Sequence, residues 1–326
     1  MAELTLIEAV NRALQRAMTS DERVLVLGED VGIDGGVFRA TDGLIREFGE
    51  QRVLDTPLAE VGIASVAVGL AAQGFRPVAE IQFSGFMYSC LDQLINHASR
   101  LRNRTRGRLS CPMVLRAPYG GGIGAPEHHS ESMEAMVAHV PGLRVVIPSS
   151  PLRAHGLLLA AVEDPDPVVF LEPKRIYRAS REEVDAAAEA LPLDTCFTLR
   201  TGGDVTIVSW GAMLVECLSA AEALEDEGVH CDVIDVATLN PLDADTILAS
   251  VDRTGRAVNA EEAPYHCGFG AQVASLLAER GLFSLRAPVQ RVAGYDTVMP
   301  LPRIERRYMP DAERVARAVR RTMAFD

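Results

Sequence analysis

Continuous apolar runs of strand length alternate with stretches whose apolar positions recur at helical spacing along most of the chain. Leu6, Val10, Ala13, Leu14 and Ala17 share one helix face, and Thr5 with Glu8 supplies a T-x-x-E capping box ahead of them. The chain is therefore predicted to open with an amphipathic helix. Residues 23–28, RVLVLG, form an apolar run closed by glycine, the pattern of a strand buried on both faces of a parallel sheet. Further strands are predicted at 52–55, 77–81, 112–116, 144–148 and 167–171, with helices at 88–101 and 152–162 and a short segment at 41–48.

One stretch breaks the amphipathic rule. In 55–72, DTPLAEVGIASVAVGLAA, only Ser65 is polar between Glu60 and the end of the run. A helix of this composition has no wet face and belongs inside the protein or inside an assembly. Thr56 is placed to cap it, and Pro57 to occupy its first position, where a missing N–H costs nothing.

Charged, irregular sequence at 177–201 interrupts the rhythm and includes REEVDAAAEALPLD, which reads as a linker. A second series then runs through strands at 204–209, 231–236, 257–260 and 289–293 and helices at 214–227, 244–251, 270–279 and 311–323. Strand and helix alternate in both halves, so the expected class is α/β with two parallel-sheet domains. The expected boundaries are 1–180 for the first domain, 181–200 for the linker and 201–326 for the second domain.

Composition narrows the picture. With 48% hydrophobic and 24% charged residues in 326, the chain has the makeup of a folded globular protein long enough for two cores. The net charge of -13 argues against nucleic acid as the main partner. The six cysteines are scattered, with no CxxC and no metal-like spacing, as expected of buried thiols in a reducing cytoplasm. The start, MAELTLIEAVNRAL, lacks a basic region followed by an apolar core, so no signal peptide is expected. No apolar run is long enough to span a bilayer, and no membrane partner is expected.

Candidate chemistry collects at predicted strand ends. Glu29 and Asp30 follow the first strand at its carboxyl end, the side on which open α/β sheets bind ligands. Gln82, Phe83 and Phe86 lie just past the strand at 77–81. Glu60 has two readings: an acid favoured by the positive end of a helix dipole, or a desolvated carboxylate held for proton chemistry. Arginines at 100, 102, 104, 106 and 108 suit a solvated or subunit-contacting loop better than a phosphate patch, because the chain is acidic and no aromatics interleave. Gly120, Gly121, Gly122 and Gly124 permit close backbone approach to a ligand, without the spacing of a dinucleotide fingerprint. His128 and His129 are adjacent and there is no H-E-x-x-H, so metal hydrolysis has little support, while one of the two could face a cleft as acid, base or anion ligand.

Several motifs taken in order resemble one family, the beta subunits of the thiamine-diphosphate-dependent decarboxylase component of 2-oxo acid dehydrogenase complexes. They are VLVLGEDVGIDGGVFRATDGL, DTPLAEVGIASVAVGLAAQGFRPVAEIQF, LDQLINHASRLRNRTRG, HHSES followed by HVPGLRVVIPSSP, DPDPVVFLEPKRIYR, DVATLNPLD, TGR and YDTV. The resemblance implies a transketolase-like pyrimidine-binding domain followed by a transketolase C-terminal domain. It implies thiamine diphosphate as cofactor, with Glu60 sharing a proton with a ring nitrogen of the aminopyrimidine. Glu29, Leu58, Gln82 and Phe86 are the other expected cofactor contacts, with Phe86 standing where relatives commonly have tyrosine. His129 matches the family's active-site histidine, thought to meet the substrate carboxylate or assist transfer to a lipoyl group. Met113, Ala161, Val162, Asp164 and Asp166 match a structural monovalent-cation site, potassium being the expected ion, although relatives often carry asparagine at the last of these.

Enzymes using this cofactor hold magnesium and the diphosphate with a GDG segment and a downstream asparagine, and this chain contains no GDG. The resemblance therefore implies half a site, completed by an alpha subunit that carries most of the magnesium binding, in a tetramer of two alpha and two beta chains. The expected activity is oxidative decarboxylation of pyruvate or a branched-chain 2-oxo acid, with acyl transfer to the lipoyl groups of an acyltransferase core. An acetoin dehydrogenase beta subunit is the alternative within this class. A nucleotide-dependent oxidoreductase using the glycine cluster, or a non-catalytic interaction subunit, are the alternatives outside it.

Overall fold

Six strands pair in parallel in the order Arg144–Val146, Val168–Pro173, Val114–Tyr119, Arg76–Glu80, Val24–Gly28 and Val53–Asp55. The four in the middle of this order are buried along almost their whole length because both faces are covered. They belong to the first of two units in a computed structural model that describes residues 1–185 and 187–325. The first unit consists of Met1–Tyr119 and Met136–Leu193, the second of Gly120–Ala135 and Asp194 onward.

The opening helix, Leu6–Ser20, starts at the capping box read from the sequence: Glu8 N–H donates to the Thr5 hydroxyl at 3.4 Å and Thr5 N–H to the Glu8 carboxylate at 2.8 Å. Its apolar face packs against the helix Pro151–Glu163, which Ser150 caps. That second helix buries His155 completely, with neither ring nitrogen bonded among the described residues. Burial, reinforced by Arg16 and Arg12 and opposed by Asp185, pushes His155 below the ordinary histidine range. The unfolded chain then takes up a proton that the folded chain refuses, so stability falls as pH drops through about 6.5. Between pH 7.5 and 5.5 the thermal midpoint of a His155→Leu variant should fall less than that of the parent. At neutral pH the variant should gain on the order of 1 kcal/mol from losing an orphaned polar ring. Equal pH slopes for the two proteins would refute this account.

Three expectations change in the first unit. The apolar helix spans Glu60–Ala72 with Ala59 as its N-cap and no side-chain cap, so Thr56 and Pro57 lie ahead of it. Thr56 N–H is instead committed to the Gly28 carbonyl at 2.9 Å, which carries the chain across the strand ends before the helix begins. The segment expected as a helix at 88–101 is a 3-10 turn, Ser84–Cys90, followed by a π turn, Gln93–His97, and a second 3-10 turn, Ala98–Arg100. Glu182–Val184, inside the stretch read as a linker, pairs antiparallel with Ala2–Leu4. Further along that stretch Leu191 N–H donates to the Gly156 carbonyl at 3.0 Å, and a Cβ on Gly156 would come within 2.5 Å of the Leu191 side chain. Ala186, within the same interval, and Asp326 lie outside the described residues.

The second unit has a five-stranded sheet in the order Gln290–Gly294, Ala257–Pro264, Val205–Ser209, Cys231–Asp235 and Phe197–Arg200. The first four are parallel and the last is antiparallel, with a register shift that bends it along its partner. Met213–Glu225 and Ala312–Met323 pack on this sheet around Cys217, Leu224, Val233, Val315 and Val319. Both units are α/β. Elements of the second that escaped the sequence reading include the strands Phe197–Arg200 and Thr238–Asn240 and the helix Pro302–Tyr308. No helix among the described residues is long and apolar enough to cross a membrane.

Candidate functional site

Because the strands of the first sheet run parallel, their carboxyl ends gather Glu29, Asp55, Glu80 and Gln82 along one rim. Glu29 is 4% exposed, and its Oε1 has no hydrogen-bond partner among the described residues. Burial pushes its carboxyl up, and the neighbouring charges of Glu60 and Asp30 push it further, against a backbone bond from Ala59. Glu60 opens its helix beside Glu29 and is only half-buried within this chain. The dry carboxylate expected at Glu60 is thus found at Glu29, with Glu60 on the open side.

The rest of the expected pyrimidine pocket lies in the same unit. Leu58 is 80% exposed, an unsupported apolar side chain at the approach to the helix. Gln82 donates to the Asp30 carboxylate at 3.1 Å. Phe86 sits on the Ser84–Cys90 turn with its ring edge-on to Phe83, centroids 5.9 Å apart, and Phe83 meets Phe38 at 5.5 Å in the same manner. The loop between Glu29 and Thr41 is folded back on itself by Asp55, which accepts from Gly32 N–H at 2.6 Å and Ile33 N–H at 3.1 Å. The helix Glu60–Ala72 buries Ile63, Ala64, Ala67 and Ala71 and leaves Val61, Gly62, Ser65, Val66 and Gly69 open. One face is therefore core, and the other is an apolar surface that this chain leaves uncovered.

An ionic cluster behind the rim was missed by the sequence reading. Arg116, 1% exposed, donates from Nε and a terminal nitrogen to both oxygens of Glu172, each at 2.7 Å, and its remaining terminal nitrogen pairs with Glu80. The Tyr177 hydroxyl donates to Glu172 at 2.6 Å. Burial works against the Arg116 charge, but Glu172 and Glu80 outweigh it and hold the guanidinium protonated. Burial pushes Glu80 up despite Arg116. A Cβ on Gly36 would lie 3.1 Å from a Glu80 oxygen, so the glycine, at φ +79°, lets the loop close over the cluster.

The residues expected to hold a monovalent cation converge in part. Arg76 donates to the carbonyls of Val162 at 2.6 Å and Asp164 at 3.4 Å, Arg144 pairs with the Asp164 carboxylate at 2.8 Å, and Arg102 with Asp166 at 2.7 Å. The Met113 carbonyl accepts from Val168 N–H. Ala161 lies in the last turn of its helix, where Pro165 has no N–H to offer its carbonyl. Val162, Asp164 and Asp166 thus meet arginine charge rather than an open cradle, a poor fit for a potassium ion. Among the described residues no group of three or more histidine, cysteine, aspartate or glutamate side chains could hold a metal.

His129 falls in the second unit, half-buried on the short turn Glu127–His129, with its N–H on the Pro126 carbonyl at 3.0 Å; His128 beside it is exposed. The glycine cluster preceding it belongs to the same unit, and its amides are occupied. Gly121 N–H donates to Glu262 at 3.1 Å, and Gly122 and Gly124 donate to the two oxygens of Glu305 at 2.8 and 2.9 Å. Carboxylates stand where a nucleotide phosphate would have to bind, which removes the structural basis for the dinucleotide alternative. Downstream, Trp210 donates to Glu134 at 3.2 Å, and burial pushes that carboxyl up to about 8.

Comparison with known proteins gives consistent results. The transketolase pyrimidine-binding domain matches residues 2–180, and the transketolase C-terminal domain matches residues 195–315. The chain is 47% identical over 325 residues to the pyruvate dehydrogenase E1 component subunit beta of Bacillus subtilis, covering all of both chains. It is 47% identical over 321 residues to the subunit of that name from Acholeplasma laidlawii, covering 98% of each. Among solved structures, a split-gene transketolase described as an inactive beta4 tetramer aligns over 99% of both chains with a TM-score of 0.82 and 25% identity. A transketolase from Pichia stipitis aligns with all of this chain and 46% of its own at a TM-score of 0.71 and 14% identity, a likeness of fold.

Proposed function

We propose, from the premise that the chain belongs to the beta subunits of the thiamine-diphosphate-dependent decarboxylase component of 2-oxo acid dehydrogenase complexes, that it forms the pyrimidine-side half of an active site acting on pyruvate. The observation that carries this reading is the rim at Glu29 and Glu60: a dry carboxylate with an unpartnered oxygen, a second carboxylate beside it, and an exposed Leu58. Such a rim fits an aminopyrimidine, which offers ring nitrogens and an amino group to the acids and flat faces to Leu58 and Phe86. When bound, the cofactor supplies the carbon nucleophile and the electron sink that decarboxylation of a 2-oxo acid requires. The chain's residues do the rest. Glu60 holds a proton at a ring nitrogen, Glu29 and Gln82 fix the acids and the ring edge, and the apolar helix behind Glu60 excludes water. His129 is assigned to the substrate carboxylate or to acyl transfer onto a lipoyl group of the acyltransferase core.

The partner is an alpha subunit, in a tetramer of two alpha and two beta chains. The feature that supports it is the open face of Val61, Gly62, Val66 and Gly69 on the helix Glu60–Ala72. The likeness to a split-gene transketolase described as an inactive beta4 tetramer agrees with a half site that needs completion. Magnesium and the diphosphate would then be held mainly by the alpha chain. We assign residues 1–180 to the pyrimidine-binding domain and 201–326 to the C-terminal domain, working in the cytoplasm. The test is co-expression with an alpha subunit, followed by decarboxylation assays on a panel of 2-oxo acids with thiamine diphosphate and magnesium. Pyruvate should be turned over fastest. Preference for a branched-chain acid would overturn the substrate assignment, and no turnover by an assembled tetramer would overturn the function.

A further inference from the structure

The glycine-rich segment ahead of His129 behaves as an anion-binding nest whose anion is built into the chain. Gly120, Gly122 and Gly124 have φ of +83°, +87° and +70°, a left-handed region that side chains other than glycine's seldom tolerate. Alternating backbone of this kind turns successive N–H groups toward one concavity, the geometry that elsewhere cradles phosphate. Here two of those amides, Gly122 and Gly124, divide the two oxygens of Glu305 between them, while Gly121 is held by Glu262. Glu305 is 6% exposed and comes from the helix Pro302–Tyr308, far along the chain. The base of the loop is closed by Gly120 N–H on the Glu131 carbonyl at 3.0 Å, and Ser130 caps the turn by donating its hydroxyl to the carbonyls of Ala125 and Pro126. Only a few residues separate the Glu305 clamp from His129, so the position of the imidazole depends on how firmly that clamp holds.

We propose that Glu305 is a positioning residue: its carboxylate is the resident anion of the glycine nest and fixes the loop that presents His129. This assignment rests on the proposed function for the role of His129, but the clamp itself does not. Charge-assisted hydrogen bonds to two amides at once are stronger than neutral ones and directional, so losing the carboxylate frees the loop rather than unfolding the unit.

The test uses the assembled enzyme with Glu305→Ala and the milder Glu305→Gln, which keeps one acceptor oxygen and loses the charge. In hydrogen-exchange mass spectrometry, the peptide carrying residues 120–130 should exchange at least about tenfold faster in Glu305→Ala, with Glu305→Gln between it and the parent. Turnover should fall about tenfold or more with thiamine diphosphate affinity unchanged, as expected of a displaced group rather than a lost cofactor site. Formate, small enough to enter the emptied nest, should restore part of the turnover and of the exchange protection in Glu305→Ala, and chloride at equal ionic strength should not. Unchanged exchange in both variants would overturn the clamp whether or not the enzyme is active. Faster exchange with full turnover would overturn the link to His129, and faster exchange that formate does not reverse would overturn the nest. If Glu305→Ala fails to assemble, Glu305→Gln decides by the same exchange measurement. An inactive parent enzyme would count against the proposed function and leave the exchange result standing.

Discussion

Glu60→Gln is expected to lower turnover of the assembled tetramer by about 10²–10⁴-fold, the range typical of a lost general acid or base, while assembly and thermal midpoint stay close to those of the parent. Glutamine matches glutamate in shape and can still hydrogen-bond a ring nitrogen, but it cannot hold and release a proton there. Little stability should be lost, because Glu60 is half-buried at the first turn of its helix, where glutamine can take the same place without a change of shape. A second readout separates proton chemistry from packing. Glu60 is one of the charges that hold the Glu29 carboxyl up, so removing it should lower the titration of Glu29, as followed by carboxyl-labelled NMR or by difference titration. Undiminished turnover would sink the assignment of Glu60. Unchanged titration of Glu29 would mean that the two acids do not interact as the structure places them.

What the sequence made legible was what local pattern encodes. The Thr5 and Glu8 capping box, the buried runs closed at Gly28 and around Val114, and the alternation of strand and helix in both halves depend on neighbours a few residues away. The family resemblance then named Glu60, Leu58, Gln82, Phe86 and His129 as one set, which periodicity could not have done. Thr56 and Pro57 look like a cap and a first turn, whereas the tertiary bond from Thr56 to Gly28 holds them outside the apolar helix, which starts at Glu60. Phe197–Arg200 was lost in charged sequence, since its strand character comes from pairing with Cys231–Asp235 at a sheet edge. The glycine cluster looked like a ligand site, and by its geometry it is one. Its ligands, Glu262 and Glu305, lie 141 and 183 positions further on and leave no local trace.

The Arg116 cluster offered a signal that went unused. Glu80, Arg116 and Glu172 each stand within one residue of the end of a predicted buried strand, and in a parallel sheet such ends are neighbours. Charges in that position must pair with one another or stay unpaired in the dry. Arg116→Met should therefore cost about 3–5 kcal/mol, because it leaves the buried Glu80 and Glu172 without their cation, and burial already pushes the Glu80 carboxyl up. The loss should depend on pH. An unpaired buried carboxyl has a folded pKa above its unfolded value, so the folded state recovers stability as pH falls and the group takes up a proton, and loses it as pH rises. Denaturant midpoints of Arg116→Met should accordingly approach those of the parent on acidification and diverge above neutrality. Adding Glu80→Gln and Glu172→Gln to Arg116→Met should restore much of the deficit, since neutral amides can share hydrogen bonds with Tyr177 and each other without a charge to desolvate. If the triple variant is no more stable than Arg116→Met alone, the cost lies in lost packing around the arginine stem and not in stranded charge.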